Sequence, residues 1–154
     1  MNKSSLQCAS SLYDEKSFYQ AFFRDLESCR HEVIIESPYI TTERMRLFHS
    51  IFRYLLSKQV KIFVITRDPR EHQEGMAWQA EVEIRNFETI GVRTLLCTGN
   101  HHRKLAILDR EILWEGSLNI LSHRHSREIM RRLEGPTAAR EMFTFLRFGQ
   151  YIDS

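Results

Sequence analysis

Val33-Ile34-Ile35-Glu36-Ser37 and, further on, Val60-Lys61-Ile62-Phe63-Val64-Ile65-Thr66 decide the fold class. Both are short apolar runs rich in β-branched residues, and Pro38 stops the first, because a residue without a backbone N–H cannot continue a central strand. Between them Met45, Phe48, Ile51, Phe52 and Leu55 recur at helical spacing, behind Thr42 as N-cap and Glu43 in the first turn. Strand, helix and strand at this length form a βαβ unit, which favours parallel pairing with helices packed over the sheet. The expected class is α/β, with a mixed, largely parallel β-sheet flanked by helices on both faces.

The pattern continues in both directions. Upstream, the stretch from Tyr13 to Cys29 carries Phe18, Phe22, Phe23 and Leu26 at helical spacing. Downstream, residues 68–75 are polar and read as a loop, and a helix from Met76 to about Ile90 ends at Gly91. Val92-Arg93-Thr94-Leu95-Leu96 is another strand. The apolar runs 105–108 and 112–115 make a hairpin around Asp109-Arg110-Glu111, which has turn composition. Residues 128–133 suggest a further strand, and Pro136 opens a last helix to about Phe148. With 154 residues, 42% of them hydrophobic, and no repeat or linker, the expectation is one domain over residues 11–154 behind a polar N-terminal tail, residues 1–10.

Chemistry concentrates in His102-Arg103-Lys104-Leu105-Ala106-Ile107-Leu108-Asp109, followed by Gly116-Ser117-Leu118-Asn119. Period-two alternation puts His102 and Lys104 on one strand face and Arg103 and Leu105 on the other. Gly116 permits a sharp bend, after which Ser117 and Asn119, two apart, project together toward the end of the sheet. An imidazole, an ammonium, a hydroxyl and a carboxamide suit a phosphodiester, whose negative oxygens must be neutralised before phosphorus can be attacked. The alternation places Asp109 opposite to that face, as a structural residue. Ser117 and Asn119 have an alternative role as caps of a following helix.

His-x-Lys-x-x-x-x-Asp with a following Gly-Ser-x-Asn resembles the signature of the phospholipase D superfamily, and every fixed position is matched. The resemblance implies a phospholipase D-like fold and an active site built from two copies of the His-x-Lys set. This chain carries one copy and is most similar to small single-motif bacterial endonucleases, so the implied assembly is a homodimer with a site shared across a twofold axis. In the roles so implied, one His102 attacks phosphorus to form a phosphohistidine while the other protonates the leaving oxygen and later activates water. Lys104, Asn119 and Ser117 act as donors to the phosphoryl oxygens. Glu128, in a His-Ser-Arg-Glu-Ile segment like the family's, fixes the imidazole tautomer. No cofactor and no metal are implied.

Composition narrows the field. A formal net charge of +2 excludes a polycation that coats nucleic acid by bulk attraction. Positive charge is local: Arg124, Arg127, Arg131 and Arg132 follow the motif with Glu128 as counter-charge, either to grip flanking phosphates or as a solvated face. Arg67 and Arg70, just past a strand end, are further phosphate candidates. Tyr39, Phe63 and Trp78 read as packing aromatics, although one near a cleft can stack on a base. Cys8, Cys29 and Cys97 are odd in number and widely spaced, hence reduced thiols. His101, His102, His123 and His125 with Cys97 form an alternative transition-metal cluster, without a known short ligand spacing. The polar start Met1-Asn2-Lys3-Ser4-Ser5 and the short, charge-interrupted apolar segment after it point to a cytoplasmic protein without stable membrane association.

The function expected from these residues is a metal-independent phosphodiesterase, acting as a nonspecific endonuclease on DNA. Two alternatives stand beside it. One is a phospholipid-directed hydrolase of the same superfamily, which should show an apolar interfacial segment. The other is a nucleic-acid-binding subunit without turnover.

Overall fold

The computed structural model describes residues 9–152. In chain order the elements are β1 (Ala9–Asp14), α1 (Phe18–Glu27), β2 (Glu32–Glu36), α2 (Thr42–Ser57), β3 (Lys61–Arg67), a short 3-10 turn (Pro69–Glu71) and α3 (Glu74–Ile90). Then follow β4 (Arg93–Cys97), β5 (Leu105–Leu108), β6 (Ile112–Gly116), β7 (Ile129–Glu134), α4 (Pro136–Phe145) and a final 3-10 turn (Phe148–Gln150). The strands form one sheet in the order β1-β7-β6-β5-β2-β3-β4.

The βαβ unit forms as its sequence requires, with β2 and β3 pairing in parallel from Glu32↔Lys61 to Glu36↔Ile65. β4 extends the parallel half beside β3. The expectation of a largely parallel sheet is corrected by the other half, since β5 pairs antiparallel with β2 and the β5–β6, β6–β7 and β1–β7 pairs are antiparallel too. For β5 and β6 the reason is connection length: the chain makes no helical crossover between them, and a tight hairpin joins only antiparallel strands. That hairpin turns at Asp109 and Arg110, both at φ +52, with Glu111 N donating to Leu108 O at 3.0 Å. Two successive left-handed residues are the mark of a type I′ turn, which matches the twist of the strands it joins.

Helices cover both faces. Val33, Ile35, Ile62, Val64, Ala106, Leu108, Trp114 and Met130 face α1, α2 and α3 with Phe18, Phe22, Phe48, Phe52 and Phe87. Ile34, Phe63, Ile65, Leu105, Ile107 and Leu113 face α4 and the C-terminal turn, with Ala139, Phe148 and Ile152. Fully burying side chains of this size contributes about 1.5–3 kcal/mol each before the entropy of ordering is set against it.

Several boundaries differ from the sequence expectation: α3 begins at Glu74 and α4 ends at Phe145, and the differences at the N-terminal end have clear causes. Ala9 and Ser10, read as tail, pair with Glu134 and Leu133 in the edge strand β1, while residues 1–8 lie outside the described residues. Tyr13 is likewise in β1, and α1 begins only at Phe18, because the Asp14 carboxylate accepts from Lys16 N and Ser17 N and turns the chain first. The N-cap of α2 is Thr41, not Thr42, with Thr41 Oγ1 accepting from Arg44 N. Gly91 does close α3, at φ +106.

Candidate active site

The loop from β4 to β5 passes over the C-terminal ends of β3 and β2, and its path is held by two carboxylates. Glu71 Oε2 accepts from Gly99 N at 2.9 Å and Glu71 Oε1 from Asn100 N at 3.3 Å, while Arg67 Nε lies 3.4 Å from the same Oε1. Glu36, the last residue of β2 and fully buried, then receives the next residues: Arg103 Nε donates to Glu36 Oε1 at 2.8 Å, and the His101 imidazole contacts that oxygen as well. Alternate residues are thus drawn to Glu36, which turns His102 and Lys104 to the opposite side. β5 starts at Leu105, so His102 and Lys104 stand on an extended lead-in and not on the strand itself.

Lys104 Nζ lies 3.0 Å from His102 Nδ1 and donates to the His102 carbonyl at 2.9 Å. That ammonium is the main cause of a His102 pKa below the ordinary histidine value, helped by burial, Arg67 and His101. Burial in turn lowers the Lys104 pKa, with Arg124 acting in the same direction and the Glu128 carboxylate against it. The pair is therefore biased toward a neutral imidazole beside a cation.

Gly116 is required by close approach, since a Cβ there would lie 2.1 Å from the Ile129 carbonyl oxygen. Ser117 continues the β6–β7 ladder beyond it: Ser117 N donates to Ile129 O at 3.0 Å, and its Oγ accepts from Ile129 N at 3.1 Å. No helix follows these residues, because the chain turns with Ser122 N donating to Asn119 O, so the capping role for Ser117 and Asn119 is corrected. Asn119 is buried, its Oδ1 has no hydrogen-bond partner among the described residues, and it lines a cavity of about 410 Å³ with Tyr19, Arg44, Arg124 and Glu128. Glu128 Oε1 accepts from Ser126 Oγ at 2.7 Å. Among the described residues no hydrogen bond joins Glu128 to His102; the carboxylate is felt by Lys104 instead.

The arginines separate into two groups. Arg124 and Arg127 are exposed on the loop between Ser122 and Glu128. Arg132 is instead held inside the fold by Asp25, through Nε at 2.7 Å and Nη2 at 2.9 Å, and Arg131 lies in β7 against Ser10. Asp25 also accepts from Trp114 Nε1 at 2.9 Å, so this cluster ties α1 to the sheet and is not available to substrate. Arg70 folds back on Asp68 at 2.7 Å. Arg67 is half-buried between Glu71 and Tyr39, its Nη1 donating to Tyr39 Oη at 3.4 Å. Asp109 lies at the far end of the hairpin, where its carboxylate accepts from Arg30 N, His31 N and Glu32 N at 2.9, 2.8 and 2.9 Å.

The histidine cluster does not assemble as one group: His101 turns to Glu36, while the His123 and His125 rings lie 4.8 Å apart on the far loop. Among the described residues no three His, Cys, Asp or Glu side chains converge on a common point. Glu36 and Glu71 were invisible as site residues in the sequence. The only available signal was a carboxylate at the end of an otherwise apolar strand, where an unpaired charge would be costly.

The sequence matches the model of the family described as cardiolipin synthase, PLD-like domain, over residues 22–146. No curated protein sequence matches the chain. Among solved structures the fold is similar to NucT from Helicobacter pylori, at 16% identity and a TM-score of 0.73, covering 92% of this chain and 94% of that one. It is also similar to Nuc, a phospholipase D family member from Salmonella typhimurium, at 11% identity and a TM-score of 0.72, over 92% and 93% of the two chains. Phosphatidylserine synthase from Haemophilus influenzae matches at 16% identity and a TM-score of 0.67, over 88% of this chain but 37% of that one.

Proposed function

The chain belongs to the phospholipase D-like family, and from that premise we propose that residues 11–154 are one catalytic domain of a metal-independent phosphodiesterase that cuts DNA without sequence specificity. The observation that carries the reading is the His102–Lys104 pair, held on one side of the motif by Glu36, with Lys104 under the charge of Glu128 and Arg124, two residues that line the cavity of Asn119. Phosphodiester hydrolysis of this kind needs a neutral imidazole as nucleophile, and the adjacent ammonium favours that state. In this reading Lys104 and Asn119 neutralise and hydrogen-bond the phosphoryl oxygens as charge builds on them. His102 forms a bond to phosphorus as the ester oxygen leaves with a proton from the second copy's His102; water then releases the phosphate from the first. The two imidazoles share their protons, so their pKa values belong to the pair. Ser117 supports this arrangement through the β6–β7 ladder, and Glu128 acts on Lys104 through its charge.

A single motif per chain requires two chains, and the surface next to it fits that requirement. Leu12, Ile129 and Phe145 are 60%, 65% and 80% exposed around an open groove that also touches Arg103, Lys104 and Ser117. Exposed apolar residues grouped around one groove beside polar ones support an association surface there. Nucleic acid is favoured as substrate by exposed Arg124 and Arg127 next to the site, and by the likeness of the motif to single-motif endonucleases. The second reading, a phospholipid diester, draws on the family's description and on the same groove, which could take acyl chains if no second copy covered it. No helix among the described residues is long and apolar enough to cross a membrane.

The test is plasmid cleavage in excess EDTA by wild type and His102→Ala over a series of protein concentrations. Nicking that disappears in the variant and rises faster than linearly with protein supports the shared two-histidine site. Activity that needs added zinc or magnesium overturns it. Hydrolysis of phosphatidylglycerol vesicles with intact plasmid selects the lipid reading.

A further inference from the structure

Tyr39 follows the end of β2, and its ring stacks on His72 with centroids 4.8 Å apart and planes 27° from parallel. The pair forms one wall of a cavity of about 550 Å³, also lined by Arg67 with its partner Glu71, and by Met76, Ser122 and Arg124. This volume falls in the range of small-molecule sites. Ser122 is 5% exposed, and its Oγ has no hydrogen-bond partner among the described residues, although it borders both this cavity and that of Asn119. Arg67 and Arg124 connect the cavity to the chemistry, since Arg67 acts electrostatically on His102 and Arg124 on Lys104. The Arg124 guanidinium lies 5.9 Å from the centre of the Tyr39 ring.

A phosphate alone would use the two arginines and leave the stacked rings, the Met76 thioether and the Ser122 hydroxyl without a role. A lipid headgroup has no flat face to lay on them. A nucleobase uses all of them, because it offers a π-face for stacking, a polar edge for a buried hydroxyl and a charged backbone beside it. We infer that this cavity is a subsite for the base of a nucleotide adjoining the scissile phosphate, stacked against the outer face of the Tyr39–His72 pair, with Ser122 at its edge and Arg124, beside the Glu71-paired Arg67, toward its phosphates. The inference rests on the nucleic-acid reading above and adds to it a place where bases, and not only backbone charge, are bound. Burial and Arg67 hold the His72 pKa below the ordinary value, so the stacked wall is uncharged at neutral pH and attracts a base through its face.

The experiment measures binding apart from cleavage. Fluorescence anisotropy with His102→Ala protein compares a labelled short oligothymidylate with the abasic phosphodiester chain of the same length, which keeps the charge and lacks the bases. The abasic chain is expected to bind at least about fivefold more weakly, the lower end of what stacking a base on an aromatic contributes. Adding Tyr39→Leu or, separately, His72→Ala should bring the two affinities together. Equal affinities in the His102→Ala protein, or a difference that survives both added substitutions, overturn the subsite. Cleavage by wild type separates this result from the catalytic reading. A base-dependent affinity in a protein that cuts neither strand leaves the subsite and removes the phosphodiesterase, whereas equal cutting and equal binding of both strands does the reverse.

Discussion

Arg103 Nε donates to a carboxylate oxygen of Glu36 at 2.8 Å, and through this bond a fully buried acid at the end of β2 sets which way the motif side chains His102 and Lys104 face. Because His101 meets the same oxygen, residues 101 and 103 are pinned and 102 and 104 are left on the free side. Glu36→Gln keeps the volume but weakens both anchors. It should fold, with a modest fall in melting temperature, and lose about tenfold to a hundredfold in the hydrolysis rate of a chromogenic phosphodiester, the scale on which small misplacements of catalytic groups are felt. A folded variant with the wild-type rate would show that the anchors do not matter.

The part of this arrangement that could be read from sequence is the part governed by local periodicity. β2 and β3 are nearly continuous apolar runs buried on both faces, and the alternation of 102 to 105 survives even though the strand begins at Leu105. Sheet order is not local: nothing in the Leu105 to Leu108 run says that it will lie antiparallel beside β2. β1 was missed at Ala9 and Ser10 because an edge strand has one partner and can be polar on its outer face. Glu36 was missed because its meaning comes from Arg103, 67 positions away, and a carboxylate at a strand end reads as solvent-facing until that partner is in place.

Asp109, the last fixed residue of the motif, makes three hydrogen bonds to the backbone between α1 and β2, far from His102. Asp109→Ala therefore should cost about 1–3 kcal/mol of stability by leaving these donors to water or unpaired. Its specific activity, assayed well below the melting transition, should stay far above that of His102→Ala. Denaturant unfolding and the activity assay on the same preparations check both halves. An Asp109→Ala protein that is stable but inactive would place this residue in the chemistry.

The Lys104 ammonium is the largest cause of the low His102 pKa, so its removal has a signed effect. In the single chain, before any second imidazole is brought up to it, the ring should release its proton below the ordinary value of about 6.5, keeping it neutral over more of the acid range. Lys104→Gln removes the repulsion that disfavours the imidazolium, and the midpoint should move upward. Proton NMR of the ring, identified by its absence in His102→Ala, follows this without any need for activity. A midpoint that stays in place would mean that burial, Arg67 and His101 account for the shift.

Phe145 is 80% exposed at the edge of the groove that reaches Lys104 and Ser117, so its replacement should hardly disturb a single chain. Surface changes of this kind usually stay within about 0.5 kcal/mol. If two copies meet across this groove to combine their motifs, Phe145→Asp buries a carboxylate against an apolar partner and should shift sedimentation from dimer to monomer. Activity should fall with dimer content and recover in part at high protein concentration, because a weakened association is opposed by mass action. The same variant separates the two uses of the groove, since a protein that binds lipid there would lose vesicle binding while its oligomeric state stayed the same.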